Sequence, residues 1–254
     1  MQREYPILEF DSAVEAVIEP ARVIEAIDAP EHCVFCFFRD VIKQLVENGR
    51  ARQIAMHGSE IGPHPLYEID VDGERLAVFH PGVGAPFAAA LLDEAIARGC
   101  SKFVACGGAG VLDSDICVGH IIVPSSAIRD EGTSYHYLPP SREVAASPEG
   151  NAAIEQVLRK HKCDYVVGKT WTTDAFYRET PAKVQLRRGE GCLTVEMEAA
   201  AFFAVAQFRK VVFAQMLYAG DDVSGADWDG REWQQRDSVR ERLFWLAAEA
   251  CLLL

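Results

Sequence analysis

Long apolar runs and clusters of positive charge are what this 254-residue chain most clearly lacks. No stretch approaches the roughly 20 apolar residues of a membrane-spanning helix, and Lys and Arg never cluster beyond adjacent pairs. The 25 basic and 38 acidic residues leave a net charge of −13. Because nucleic acids and anionic membranes bind to positive potential, we predict that neither is a partner. Residues 1–6 lack the apolar core of a signal peptide, so we expect a cytoplasmic protein.

A second cysteine pair is also missing. Among eight cysteines, only Cys33 and Cys36 have a Cys-x-x-Cys spacing, and no further Cys or His pair completes a zinc site. We therefore predict no metal site and no cofactor. A redox role for this motif is open, but its apolar neighbours favour buried, reduced thiols in a cytosolic protein.

What remains is the composition of a globular domain, with 49% hydrophobic and 25% charged residues. The stretch richest in Pro and Ser, 138–150, is short and is predicted to be a surface loop, so residues 1–254 form one domain. Apolar runs alternate with segments of helical periodicity, which predicts an α/β fold with a central sheet. Strands are predicted at 33–38, 67–71, 75–79, 102–106, 116–124, 165–167 and 211–217, and helices at 39–47, 87–96, 151–162 and from 234 onward.

Residues suited to ligand binding follow several of these strands. They comprise two glycine-rich turns, a polar and aromatic segment, a pair of acids and one further acid: 82–86, 107–110, 170–177, Glu196 with Glu198, and Asp221. In an α/β sheet such junctions converge on one edge, where ligands bind. Glycines suit an anion or a sugar, an aromatic ring suits a flat base, and paired acids suit a diol. Taken singly, the glycines also fit tight turns and the acids also fit a structural ion pair; together they indicate a nucleoside site.

These motifs resemble those of the purine and uridine phosphorylases and their nucleosidase relatives. The resemblance rests on Val195-Glu196-Met197-Glu198-Ala199-Ala200, Pro81-Gly82-Val83-Gly84-Ala85-Pro86, Gly107-Gly108-Ala109-Gly110-Val111, Thr173-Asp174-Ala175-Phe176-Tyr177 and Gly220-Asp221-Asp222. Their order agrees from about residue 75 to the C-terminus. The resemblance implies a single-domain, three-layer α/β/α sandwich with a central mixed β-sheet, assembled as a homo-oligomer, either a dimer or a hexamer.

The resemblance also implies roles for individual residues. Glu198 would accept hydrogen bonds from the ribose 2′- and 3′-hydroxyls, with Met197 packed on the sugar and Glu196 beside it as a further substrate-binding acid or an ion-pair partner. Phe176 would stack on the base, and Arg178 lies near enough in sequence to contact it. Asp221 would protonate a purine ring as the glycosidic bond breaks, assisted by Arg236. For Arg236, a solvated helix position is the alternative. Four glycines would form backbone cradles for phosphate: Gly82, Gly84, Gly107 and Gly108.

The phosphate site departs from the family pattern. Residues 35–40 replace a Gly-Asp-Pro-x-Arg loop, Ala105-Cys106 replaces a second arginine, Gly108 replaces a hydroxyl residue, and no third arginine appears around Gly62. Each charge-assisted hydrogen bond lost around the dianion removes about 1.5–3 kcal/mol. The candidate replacements are Arg39, Arg52, His57 and His80, although nothing in their spacing indicates that role. The Gly-Gly-Ala-Gly turn is closer to the Gly-Ser-Ala-Gly turn of the hydrolytic nucleosidases.

We therefore predict an enzyme that cleaves a purine ribonucleoside, with phosphate as co-substrate, to free base and ribose 1-phosphate. Two alternatives stay open: a hydrolase that uses water, and a nucleoside-binding protein without turnover.

Overall fold

A ten-stranded mixed sheet forms the centre of the protein in a computed structural model that describes residues 2–254. The strands are β1 (His32–Cys36), β2 (Ala51–Ser59), β3 (Gly62–Val71), β4 (Glu74–Phe79), β5 (Lys102–Val111), β6 (Ile121–Asp130), β7 (Glu143–Ala145), β8 (Tyr165–Thr173), β9 (Cys192–Glu196) and β10 (Val212–Asp222). The helices of this part of the chain are α1 (Pro20–Val23), α2 (Arg39–Glu47), α3 (Ala85–Arg98), α4 (Pro148–Lys160), α5 (Pro181–Gly189), α6 (Ala199–Arg209) and α7 (Asp237–Leu252).

Helices cover both faces of the sheet. Buried side chains of α2, α4 and α7 pack on one face, and those of α3 and α6 pack on the other. Successive residues of a strand point to opposite faces, so Val34 of β1 joins the first cluster and Phe35 joins the second. The predicted three-layer α/β/α arrangement around a mixed sheet is therefore confirmed.

One half of the sheet closes on itself. The strands β4, β1, β5 and β10 run parallel as neighbours, and β3 and β2 extend the sheet antiparallel beyond β4. On the other side β10 pairs with β6, β6 with β8, and β8 with β9, and β9 returns to pair with the end of β5. The strands β5, β10, β6, β8 and β9 thus form a five-stranded ring, and the ends of β5, β9 and β10 meet at its rim.

The predicted hairpin is confirmed, since β3 and β4 are joined at Asp72 and Gly73, whose φ values of 53° and 90° suit a two-residue turn. Three other predictions need correction. The strand expected at 116–124 is β6, which begins at Ile121 after Gly119 (φ 89°) and passes Pro124 through an irregularity in its pairing. The stretch 138–150 is not one surface loop, because it contains β7 and the start of α4, with Val144 buried.

The third correction concerns 170–177, which was predicted to be a ligand-facing segment after a strand. Thr170, Thr172 and Thr173 instead belong to β8 and are buried, and their hydroxyls form hydrogen bonds within the protein. Two further strands, β2 and β9, and the helix α5 were not predicted. None of the helices in residues 2–254 is long and apolar enough to cross a membrane.

Helix α4 rests on β10 through Gly150. A Cβ atom built on Gly150 would lie 2.6 Å from the Cβ of Ala214, so the helix approaches the strand as closely as a missing side chain permits. Gly189 at the end of α5 is the opposite case, because a Cβ there would meet no atom within 4 Å.

We expect Gly150→Ala to lower the free energy of unfolding by about 1–3 kcal/mol through overpacking, although alanine favours helix more than glycine does. Gly189→Ala is the matched control and should be neutral or stabilising by up to about 1 kcal/mol. Urea denaturation of the two variants measures both effects. Equal stability of the two variants would contradict the close packing of α4 on β10.

Candidate active site

A cavity of about 950 Å³ opens where β5, β9 and β10 reach the rim of the ring. Seven of the residues predicted to form a site line it: Gly107, Gly108, Phe176, Glu196, Met197, Glu198 and Asp221. Gly82, Gly84, Arg178 and Arg236 do not line it. The other residues of its wall that matter below are Phe37, Phe38, Glu179, Asp227, Trp228 and Arg240.

Glu196 ends β9 and holds the start of α6. Its Oε2 accepts hydrogen bonds from the backbone N–H groups of Glu198 (2.7 Å) and Ala199 (2.6 Å), while Oε1 accepts the Thr172 hydroxyl at 2.6 Å. The first amides of a helix lack partners inside the helix and carry partial positive charge, so a carboxylate satisfies them well. All these contacts are with the protein itself, which gives Glu196 a positioning role.

Glu198 is buried beside Glu196 and reaches the glycine-rich turn before α3. The N–H of Gly84 donates to its Oε1 at 2.5 Å. Gly84 has a φ of 93°, a conformation that favours glycine, and its amide is directed at a carboxylate. The Gly84 amide that was predicted to cradle phosphate therefore binds an acid of the site.

The two acids share a low-dielectric site. Burial raises the pKa of Glu196 above its ordinary value, opposed by the donors Thr172, Ala199 and Glu198. Burial, followed by the negative charge of Glu196, raises the pKa of Glu198 to about 8. Glu196 accepts more hydrogen bonds, which favour its ionised form more strongly than that of Glu198.

Asp221 is turned toward the cavity by an irregularity in β10. Ala219 pairs with Ala109 and Asp222 with Val111, so Gly220 and Asp221 together stand opposite the single residue Gly110. This β-bulge re-aims a side chain, as bulges beside functional sites often do. A Cβ on Gly110 would lie 3.5 Å from Asp221 Oδ1, so the carboxylate rests directly on this glycine. The indole Nε1–H of Trp228 donates to Asp221 Oδ2 at 2.7 Å.

One aromatic part of the cavity wall comes from the single turn Phe176–Arg178. The ring of Phe176 is half exposed and packs on Tyr177, with ring centroids 4.1 Å apart. Arg178 is exposed and lies outside the cavity lining. Arg236 likewise turns away, since its guanidinium donates to the backbone carbonyl of Arg231. The roles predicted for these two arginines stay predictions.

The wall near the start of α2 is apolar. Phe37 and Phe38 line it together with Gly107 and Gly108, in the region where the resemblance implies phosphate. Among residues 2–254, Arg240 of α7 is the cation in the cavity wall. Its guanidinium forms an ion pair with Asp40 at 2.8 Å and lies over the ring of Phe38 at 5.0 Å.

The four candidate phosphate ligands lie elsewhere. Arg52 pairs with Glu68 at 2.9 Å, and His57 contacts Glu94. Arg39 is exposed at the start of α2. Burial, followed by the charge of Arg39, lowers the pKa of His80 to about 4, so this imidazole is neutral at neutral pH. None of the four lines the cavity.

Cys33 and Cys36 lie on β1 as free, buried thiols, and in the described part of the chain no three His, Cys, Asp or Glu side chains cluster as a metal site would need. The wall residues missed from the sequence include Glu179, Trp228 and Arg240. Arg240 has no signal that separates it from other helix arginines. Glu179 follows the motif at 173–177 and Trp228 follows the motif at 220–222, and this closeness in sequence is only a weak indication that they line the same site.

The buried acids predict a dependence of stability on pH. Because the pKa of Glu198 is higher in the folded than in the unfolded protein, the folded state binds more protons between about pH 4.5 and about pH 8. Its contribution to stability is complete below this range and is lost as the pH rises through it. We expect the thermal midpoint of Glu198→Gln to fall less than that of the wild type from about pH 5 to about pH 8. Parallel curves would contradict a raised pKa of Glu198.

Comparison with known proteins agrees with this geometry. The family model described as the Phosphorylase superfamily matches residues 31–249. A guanosine phosphorylase of Halorubrum lacusprofundi is 36% identical over 146 residues, 57% of this chain and 60% of that protein. A uridine phosphorylase of Thermococcus kodakarensis is 30% identical over 127 residues, 50% of this chain and 44% of that protein. The chain therefore aligns with about half of the length of these curated relatives.

Solved structures show the same fold over nearly the whole chain. A uridine phosphorylase from Vibrio fischeri superposes with a TM-score of 0.76 at 22% identity, covering 93% of this chain and 98% of that one. An AMP nucleosidase from Bacteroides thetaiotaomicron superposes with a TM-score of 0.72 at 22% identity, covering 90% of each chain. With its ring of strands, its paired acids at the start of α6 and a family match over most of its length, this chain belongs to the phosphorylase superfamily.

Proposed function

We propose that the protein cleaves the N-glycosidic bond of a purine ribonucleoside, transferring the ribose to phosphate. The observation that carries this proposal is the presence of Glu198 and Asp221 in one cavity that also holds an exposed aromatic ring, Phe176. These groups match a nucleoside at cleavage, since Glu198 suits the diol of the ribose, Asp221 suits protonation of the leaving base, and Phe176 suits stacking on that base. The products are free base and ribose 1-phosphate.

At the sugar, Glu198 acts on the ribose hydroxyls in its ionised form, which the hydrogen bonds that they donate stabilise against the raised pKa of the free protein. Two adjacent hydroxyl groups are donors that a carboxylate can accept together. As the bond from C1′ to the base nitrogen breaks, positive charge builds on the ring, and negative charge near the ribose stabilises that state. The bond between Gly84 and Glu198 holds the carboxylate before the substrate arrives.

At the base, Asp221 supplies a proton. The electron pair of the breaking bond goes to the purine, which takes the Asp221 proton on its ring, and a phosphate oxygen forms the new bond to C1′. The indole of Trp228 hydrogen-bonds one oxygen of Asp221 and so fixes its orientation. General acid catalysis of this kind contributes about 10²–10⁴-fold in rate.

Phosphorolysis is supported by the curated relatives, which include a guanosine phosphorylase and a uridine phosphorylase. Hydrolysis is the second candidate, and one observation favours it. The cation in the described cavity wall, Arg240, is already paired with Asp40, and Phe37 and Phe38 beside it offer no charge to a dianion. The proposed enzyme acts as a homo-oligomer, a dimer or a hexamer, which sedimentation of the purified protein measures.

The nucleophile is tested by supplying or withholding phosphate. We expect base release from guanosine, inosine or adenosine to require phosphate and to produce ribose 1-phosphate. Release at the same rate without phosphate, with free ribose as product, would instead establish the hydrolase. Uridine and methylthioadenosine serve as comparison substrates. No release from any nucleoside, together with a thermal shift on adding one, would identify a binding protein.

Two substitutions test the acids. Glu198→Ala should abolish ribonucleoside cleavage, because the cavity loses its acceptor for the ribose hydroxyls. Asp221→Asn should lower kcat by about 10²–10⁴-fold with little effect on binding, because the amide keeps the shape but holds no transferable proton. Glu149→Gln, at an exposed position of α4, is the control and should behave as wild type. A mutant at either site as active as wild type would remove that residue's role.

A further inference from the structure

Gln215 is a buried polar side chain of the cavity wall that the scheme above does not use. It lies on β10 and is 1% exposed, and its Oε1 has no hydrogen-bond partner among residues 2–254. Buried polar atoms of proteins are nearly always hydrogen-bonded, because a buried oxygen without a partner is costly. A side-chain amide in this state on the wall of a cavity is suited to bind a polar group of a ligand.

The strand geometry places Gln215 at the end of the cavity away from the base. It precedes Asp221 on the same strand, and a rise of about 3.3 Å per residue separates the two backbones by roughly 15–20 Å. On the neighbouring strand β5, Gln215 stands opposite Ala105, two positions before Gly107. The ring of Phe37 covers Gly107 at this end, since it lies 3.1 Å from where a Cβ of Gly107 would be.

A nucleophile reaches the ribose from this end. In the proposed reaction the base stacks on Phe176 and takes the Asp221 proton, while Glu198 holds the ribose. The attacking oxygen approaches C1′ on the face opposite the breaking bond, because the leaving electron pair occupies the other face. Gln215 therefore lies on the side of the ribose from which the co-substrate attacks.

In the described part of the chain, this end of the cavity offers no free positive charge to an anion. Arg240 is paired with Asp40 at 2.8 Å. His80, whose ring centroid lies 6.1 Å from that of Phe37, is neutral because burial lowers its pKa to about 4. The other ionisable groups of the lining are acids, namely Glu179, Glu196, Glu198, Asp221 and Asp227. A dianion would lack a counter-ion here, so a singly charged anion is favoured.

We propose that Gln215 binds the phosphate co-substrate as its monoanion, pairing its amide with one P–OH group and one unprotonated oxygen. This rests on the proposed function, which supplies phosphate as the nucleophile. An amide offers an acceptor and a donor side by side, and this pattern complements a P–OH group beside a P–O group. The monoanion has two groups of each kind, so one unprotonated oxygen stays free to attack.

The monoanion also balances the protons of the reaction. Its free oxygen forms the bond to C1′, the electron pair of the broken bond goes to the base, and the base takes the Asp221 proton. A P–OH proton of the resulting ribose 1-phosphate is then released to solvent, and solvent protonates Asp221 again.

The test measures KM for phosphate from about pH 6 to about pH 8, at a saturating concentration of a purine nucleoside that is cleaved. We expect the wild-type KM for total phosphate to rise by roughly tenfold over this range, as the dianion replaces the monoanion. Gln215→Leu, of similar size, should raise KM for phosphate by about tenfold to a hundredfold with little change in KM for the nucleoside. Glu149→Gln, outside the cavity, should behave as wild type.

A second variant separates the charge of phosphate from the titration of the protein. Burial raises the pKa of Glu179 to about 7 and that of Glu198 to about 8, so both acids titrate in the same range. Gln215→Lys keeps these acids and supplies a positive charge, so its KM for phosphate should fall as the pH rises. Sulfate, a dianion without an O–H donor, should inhibit Gln215→Lys and leave the wild type unaffected.

Calorimetry with inorganic phosphate alone distinguishes this proposal from the proposed function. If no nucleoside is cleaved, but the wild type binds phosphate more tightly at pH 6 than at pH 8 and Gln215→Leu binds it weakly, the proposed function fails and the role of Gln215 stands. If cleavage requires phosphate and Gln215→Leu keeps the wild-type KM for phosphate, the proposed function stands and the role of Gln215 is overturned. Inhibition of the wild type by sulfate would also overturn that role. Cleavage that is independent of phosphate would overturn both proposals.

Discussion

The hydrogen bonds that Glu196 accepts from the backbone amides of Glu198 and Ala199, at the start of α6, are the constraint on which the rest of the site depends. They join the end of a ring strand to the start of a buried apolar helix, and Glu198 stands at that junction. Because the charge of Glu196 is satisfied by backbone amides and by Thr172, the neighbouring Glu198 can be buried and still open onto the cavity. Glu196 is thus engaged by hydrogen bonds within the protein, whereas Glu198 lies open to the cavity.

Small residues complete the arrangement by letting side chains approach the backbone. Asp221 rests on Gly110, and the ring of Tyr218 lies 3.0 Å from where a Cβ of Gly108 would be. The bulge opposite Gly110 then turns Asp221 out of the strand pattern. The glycines at 107–110 therefore leave room for side chains of the protein itself, in the turn where the sequence predicts a phosphate cradle.

Site residues that belong to contiguous sequence motifs could be predicted from the sequence. Asp221 follows a predicted strand, and Glu198 and Phe176 stand in contiguous motifs, so their convergence could be expected at one edge of an α/β sheet. The ring closure was not predictable, because the return of β9 to β5 depends on pairing between distant segments. Arg240 lies on a helix whose orientation only the packed core decides. The hydrogen bond from Gly84 to Glu198 joins residues that are 114 positions apart in the sequence, so no local pattern predicts it.

The five-stranded ring has a further consequence for how such a protein can diversify. Its strands are hydrogen-bonded in a closed ring, so a shift in the register of any one strand would change its pairing with both neighbours and displace the residues that line the cavity. Two segments of the cavity wall lie outside the strands of the ring, namely the turn that carries Phe176 and the loop that carries Trp228. Their residues can differ without a change in strand register. In the proposed enzyme, the residues near the base can therefore vary while the acids at the ribose end stay in place.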